Sequence, residues 1–113
     1  MSDQSTIIPF QNAHNHRASP QSIFFDRGEF QAILNIYGKM VASGYWKDYA
    51  ISASKDVATF AVFQKASERP IFRITKTPAL HHKQGAFAIH SSQGQILKRG
   101  QELPQVLKYF EKK

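Results

Sequence analysis

The residue pattern predicts an α+β fold: a twisted antiparallel sheet of about five strands with an N-terminal and a C-terminal helix, in the order α-β-β-β-β-β-α. Three observations predict it. Apolar residues recur at helical spacing between a cap at Asp26 and a stop at Ser43-Gly44. From Tyr45 the period changes to two, and short apolar runs follow one another across turn-rich links. A second helical stripe starts near Glu102. A parallel pair needs a crossover of about a dozen residues or more, so these short links imply antiparallel neighbours. The simplest arrangement packs both helices on one face.

A chain of 113 residues has room for one core. Without cysteine it excludes a disulfide scaffold, a thiolate zinc site and a cysteine nucleophile. No apolar run approaches the ~18 residues of a membrane span. Met1 to Ser5 lack the basic-then-apolar layout of a secretory signal, so the expectation is a cytoplasmic protein without a membrane partner. Charge is uneven. Residues 1–56 carry five basic and five acidic side chains, whereas residues 57–113 carry ten basic and three acidic ones. The whole net charge of +7 therefore lies in the second half, which can mark a surface for anionic partners.

Residues 1–22 read as a mobile N-terminal tail and residues 23–113 as a single domain. Gln11 to Ser22 is polar and aperiodic, without the apolar surface to offset ordering. Ile7, Ile8 and Phe10 are the exception and could dock as an extended edge segment or meet a partner. The first helix has the strongest signals. Asp26 and Glu29 fit a capping box, with Phe25 and Phe30 at hydrophobic-staple positions. Phe30, Ile33, Leu34, Tyr37, Met40 and Val41 form its apolar face. Gly38 interrupts the helix at a cost of up to ~1 kcal/mol, for which close packing against a strand is the expected reason.

In the first strand Tyr45, Lys47, Tyr49 and Ile51 alternate with Trp46, Asp48, Ala50 and Ser52. Val57 to Gln64 is apolar on both sides, so its second face needs a cover: the tail, a curled sheet or a second subunit. Pro70 suits a strand entrance, and Ile71 to Thr77 should face the core with Phe72 and Ile74 and turn Arg73 and Thr75 away. After the loop Pro78 to Gly85, a hairpin turning at Ser92-Gln93-Gly94 joins the last two strands, which Gly100 ends. Leu103, Val106, Leu107 and Phe110 form the stripe of the last helix, with Pro104 in its first turn and Lys108, Lys112 and Lys113 toward its end.

Chemistry-bearing patterns are few. His14 and His16 lie in the tail and His81-His82 in a loop, but no spacing matches a closed zinc site, so neither metal nor cofactor is expected. No nucleophile elbow, phosphate loop or carboxylate pair indicates catalysis. Asp48 reads as a partner for a neighbouring cation. The basic residues are more suggestive: Arg73, Lys76, His81, His82, Lys83, Lys98 and Arg99 could converge at one sheet edge as a nucleic-acid or polyanion site. Tyr45, Trp46 and Tyr49 are candidate stacking or interaction rings, with core packing as the alternative for each.

Several blocks, FDRGEFQAILNIYGKMVASGYWKDYAI, FAVFQKASERPIFRITKTP, QGAFAI and ILKRGQELPQVLKYFEK, follow in an order that resembles the small bacterial proteins grouped as domain of unknown function 2794. The resemblance spans roughly residues 24–112 and implies a compact bacterial protein with no activity or catalytic residue to carry over. The blocks WKDYA and ILKRG single out Trp46, Asp48, Tyr49, Lys98, Arg99 and Gly100. Two functions are expected of such a chain. One is a protein-interaction or regulatory module, with a homodimer as one form. The alternative is a nucleic-acid or polyanion-binding module using the basic surface of residues 57–113.

Overall fold

The long helix α1 (Arg27–Ala42) starts at the capping box that the sequence predicts. In the computed structural model, which describes the backbone of residues 6–8 and all of residues 21–65 and 69–111, the Glu29 amide donates to Asp26 Oδ1 at 2.8 Å and the Asp26 amide to Glu29 Oε1 at 2.8 Å. Two otherwise orphaned donors of the first turn are satisfied by one reciprocal pair. At the other end Gly44 takes φ +83°, and the Met40 carbonyl accepts from the amides of Tyr45 and Trp46, which turns the chain back toward the sheet.

Strands β1 (Thr6–Ile8), β2 (Asp48–Ala53), β3 (Ala58–Phe63), β4 (Phe72–Lys76), β5 (Phe87–Ser91) and β6 (Ile96–Gly100) form one sheet in sequence order, antiparallel throughout. The five expected strands are β2 to β6. The sixth, β1, adds to the edge of β2 with Ile7 opposite Ser52, so the edge-segment alternative holds for the backbone of residues 6–8. The expectations for Phe10, His14, His16 and the polar stretch 11–20, and for Lys112 and Lys113, fall outside the described residues. A short helix α2 (Leu103–Leu107) tightens into a 3-10 turn at Lys108–Glu111.

Both helices cover the same face. Ile33 and Ile36 of α1 and Leu103, Val106 and Leu107 of α2 join Phe60, Val62, Ile74, Phe87 and Ile89 in one core. Phe60 lies at its centre, stacked on Tyr49 with ring centroids 4.7 Å apart and edge-on to Tyr37 and Phe30. Burying an aromatic of this kind contributes roughly 2–3 kcal/mol.

Four details depart from expectation. Val41 is exposed while Ile36, off the predicted stripe, is buried on the side of α1 where Pro104 and Leu107 of the second helix lie. Gly38 packs against nothing: a Cβ built there meets no atom within 4 Å. Trp46 and Asp48 do not share a strand face, since β2 begins only at Asp48 and Trp46 precedes it, buried in the core. Gly100 is the last residue of β6 rather than a break after it. A Cβ there would lie 3.1 Å from Val106 Cγ2, so close packing of α2 supports its lack of a side chain.

Candidate nucleic-acid interface

Cross-strand register decides which side chains stand on the face that neither helix covers. In β2 these are Asp48, Ala50 and Ser52; in β3, Thr59, Ala61 and Phe63; in β4, Arg73 and Thr75; in β5, Ala88 and His90. In β6 the register brings Arg99 beside Ala88. A bulge after Ile89 then sets Ile96 opposite His90. The floor of this face is therefore small (Ala50, Ser52, Thr59, Ala61, Thr75 and Ala88). Long or planar side chains stand over its β4–β6 half. Phe63 belongs to this face too and is absent from the helix-side core.

Register sets three basic residues on neighbouring positions here. Arg73 is the cross-strand partner of His90, and Arg99 lies beside Ala88, two residues from His90 on the same face. Arg99 is held in place, because its Nη1 donates to the Gly85 carbonyl at 3.0 Å. His90 Nε2 is 3.0 Å from Thr75 Oγ1. Burial pushes the His90 imidazole below the ordinary histidine range. Arg73 and Arg99 push it further the same way, and a hydrogen bond with the Gly94 backbone works in the opposite sense. The ring thus reports a positive local field.

The remaining predicted cations do not join this cluster. Lys76 points to the helix side, where its Nζ donates to Glu29 Oε1 at 2.8 Å and to the Phe24 carbonyl at 3.0 Å. It is a clamp between β4 and the start of α1. Lys98 aligns with the core-facing Ile89 and lines a shallow hollow with Gln105, Lys108 and Tyr109 beside α2. His81, His82 and Lys83 are exposed in the loop between β4 and β5, with the two imidazole rings 4.7 Å apart. That loop is ordered by a 3-10 turn at Pro78–Leu80 and by the Leu80 carbonyl, which accepts from the amides of Lys83, Gln84 and Gly85. Among the described residues no group of three His, Asp or Glu side chains is placed to hold a metal ion.

The predicted rings divide in the same way. Trp46 is 3% exposed, edge-on to Phe110 at 4.9 Å, and cannot stack on a ligand without leaving the core. Tyr49 has one ring face taken by Phe60 and an edge against Tyr37 at 4.8 Å. Its hydroxyl, like that of Tyr37, is pushed above the usual tyrosine range chiefly by burial. Tyr45 is 54% exposed, on the rim of an apolar cleft of about 550 Å³ lined also by Met40, Trp46, Phe72, Tyr109 and Phe110. Sequence reasoning missed Phe63 and His90 as site residues. In sequence Phe63 is only part of a strand that is apolar on both sides, and His90 shows no pattern without its register with Arg73.

The chain belongs to a family of unknown function: the model described as Protein of unknown function (DUF2794) matches residues 23–107. No curated protein and no solved structure matches the chain.

Proposed function

We propose that this protein binds single-stranded nucleic acid on the face of its sheet opposite both helices. The observation that carries the reading is the register that sets Arg73, His90 and Arg99 on adjacent strands, among small residues, on the face opposite both helices. Small floor residues keep this face low between its longer side chains, and guanidinium groups standing on it neutralise the phosphates of a polynucleotide. Phe63 supplies an aromatic face on the same side, diagonal to Arg73 across β3 and β4, on which a base can stack. Lys76 and Lys98 have no part in it, because they stand on the helix side.

The test is fluorescence anisotropy with labelled single-stranded RNA, single-stranded DNA and duplex DNA at low and moderate salt. Single strands should bind more tightly than duplex, with affinity falling as salt rises. Arg73→Gln should reduce the slope of log K against log salt by about 0.7, the value for one phosphate contact on a single strand. Phe63→Ala should weaken binding by roughly 1–3 kcal/mol, the worth of one stacked base, and leave that slope unchanged. Arg73 is the cleaner cation to remove, since Arg99 also supports the loop through Gly85. Absence of binding to any of the three probes at low salt would end this reading.

A protein-interaction module is the second reading, favoured by the free edge of β6 and by Ile96, which is 51% exposed. As a homodimer through that edge it meets an obstacle. Lys98 is the middle residue of the five-residue strand, so in-register antiparallel pairing of two copies would set Lys98 against its own counterpart. A dimeric mass by light scattering at micromolar concentration would favour this reading over the first.

A further inference from the structure

We propose that Arg73, His90 and Arg99 form a single phosphodiester-binding subsite whose occupation takes up one proton on His90. The proposal rests on the nucleic-acid reading above and specifies the linkage at its centre.

The geometry supplies the parts. His90 sits between the two guanidinium-bearing positions, directly across from Arg73 and two residues along from the partner of Arg99. The groups that face it are Arg73 and Thr75 from β4, Arg99 and Ile96 from β6, and the Gly94 backbone from the intervening turn; among the described residues no carboxylate contributes to its surroundings. A neutral imidazole is the favoured form there while the site is empty of anion, because a third positive charge would be both half-buried and repelled. A phosphodiester set among the same groups offsets part of their positive field with its own negative charge. The imidazolium is then less disfavoured than in the empty site and adds a positive charge beside the two arginines.

The hydrogen bond to Thr75 permits this change without rearrangement. The hydroxyl of Thr75 can donate to an unprotonated Nε2 or, after rotating, accept from a protonated one. His90 therefore gains a proton without losing its partner at 3.0 Å. Proton uptake and anion binding are then linked. The protonation equilibrium of the bound form lies higher than that of the free form, so affinity rises as pH falls between the two.

Anisotropy titrations at constant ionic strength between pH 5.5 and 8.0 test it, with a single-stranded oligonucleotide lacking terminal phosphates, so that the ligand's own backbone does not titrate. The wild-type protein should bind several-fold more tightly at the acid end, the sense that proton uptake on binding requires. His90→Gln should lose the acid enhancement, its affinities at pH 5.5 and 8.0 coming together whatever their absolute level. A His81→Gln/His82→Gln double variant should keep it, since those rings lie in the exposed loop. Nuclear magnetic resonance of the His90 ring should show its titration moving to higher pH when oligonucleotide is added. A pH-independent affinity, or an enhancement that follows His81 and His82 instead, would overturn the linkage while leaving the nucleic-acid reading intact. Absence of oligonucleotide binding at every pH would overturn both, as would binding confined to vesicles of anionic phospholipid.

Discussion

Three glycines of this chain do different work, and alanine at each position separates the causes. Gly85 has φ +102°, and a Cβ there would sit 2.6 Å from both the carbonyl carbon and oxygen of Gly100. The obstacle is backbone, so no rotamer change relieves it. A left-handed backbone costs a non-glycine residue about 1–2 kcal/mol, and forcing a methyl into a packed contact adds roughly 1–3 kcal/mol, so Gly85→Ala should destabilise by about 2–5 kcal/mol. Gly44 has φ +83° but meets nothing within 4 Å, so Gly44→Ala isolates the backbone component alone, about 1–2 kcal/mol. Gly38 lies in α1 with open space around it and no positive φ, so Gly38→Ala should stabilise by about 0.5–1 kcal/mol. Urea unfolding followed by circular dichroism measures all three, with shifts read from the midpoints at a common slope. If Gly85→Ala lies within about 0.5 kcal/mol of Gly44→Ala, the close approach of the β4–β5 loop to the end of β6 is wrong, and with it the anchoring of Arg99 on Gly85.

Two further perturbations probe the clamp and the histidine. Glu29→Gln keeps the capping geometry but removes the charge facing Lys76, whereas Glu29→Ala removes both, so thermal unfolding should rank Ala below Gln, separated by about 1 kcal/mol for the lost cap; equal midpoints would mean that the cap contributes nothing. His90 is held below its ordinary range in the folded protein, so the unfolded chain binds the proton first on acidification. That contribution to stability is fully present above about pH 6.5 and is lost as pH falls through that unfolded value toward the folded one. Wild type should therefore lose more stability between pH 7.5 and 5.5 than His90→Gln does, and a larger loss in the variant would contradict the assigned environment.

What the sequence made legible follows the distance over which each signal acts. The capping box, the glycine stop after α1 and the antiparallel meander are local, and Asp26, Glu29, Gly44 and the short links declare them before any tertiary contact exists. The inward placing of Phe72 and Ile74 against Arg73 and Thr75 is equally local, since period two alone assigns it. The site is not local. Arg73 and Lys76 are three residues apart in one strand, and that odd spacing sends them to opposite faces; Lys98 and Arg99 are adjacent and separate in the same way. Clustering of cations along the chain therefore misleads in a sheet, where only residues at even spacing, or at matched register on neighbouring strands, can meet. Gly38 misleads for a different reason: a helix interior tolerates glycine on its exposed side at a modest cost, with no packing reason at all.

The strand that is apolar on both sides poses the question that connects fold to function. A second buried layer would demand large side chains on the second face of β3, as Phe60 and Val62 are on the first. The second face instead carries Thr59, Ala61 and Phe63, and continues across the sheet through Thr75 and Ala88. Ala61, Thr75 and Ala88 are nonetheless buried, and residues this small need no helix above them, because the longer side chains of the same face suffice to shield so little apolar area. Register sets Arg73 directly across from Ala61 and Arg99 across from Ala88, each at the spacing where a long aliphatic stem can lie over a methyl group while its guanidinium reaches outward. The same pairing thus reconciles apolar floor residues with a face that neither helix covers and raises the positive groups above it. A sheet face selected only for solubility would be served by lysine and glutamate at those positions. Small residues under arginines, with one ring at the margin, suit the flat polyanion proposed above, and leucine at Ala61, which is buried, should test it: overpacking there should cost roughly 1–3 kcal/mol in urea unfolding, while oligonucleotide affinity falls as the floor is raised.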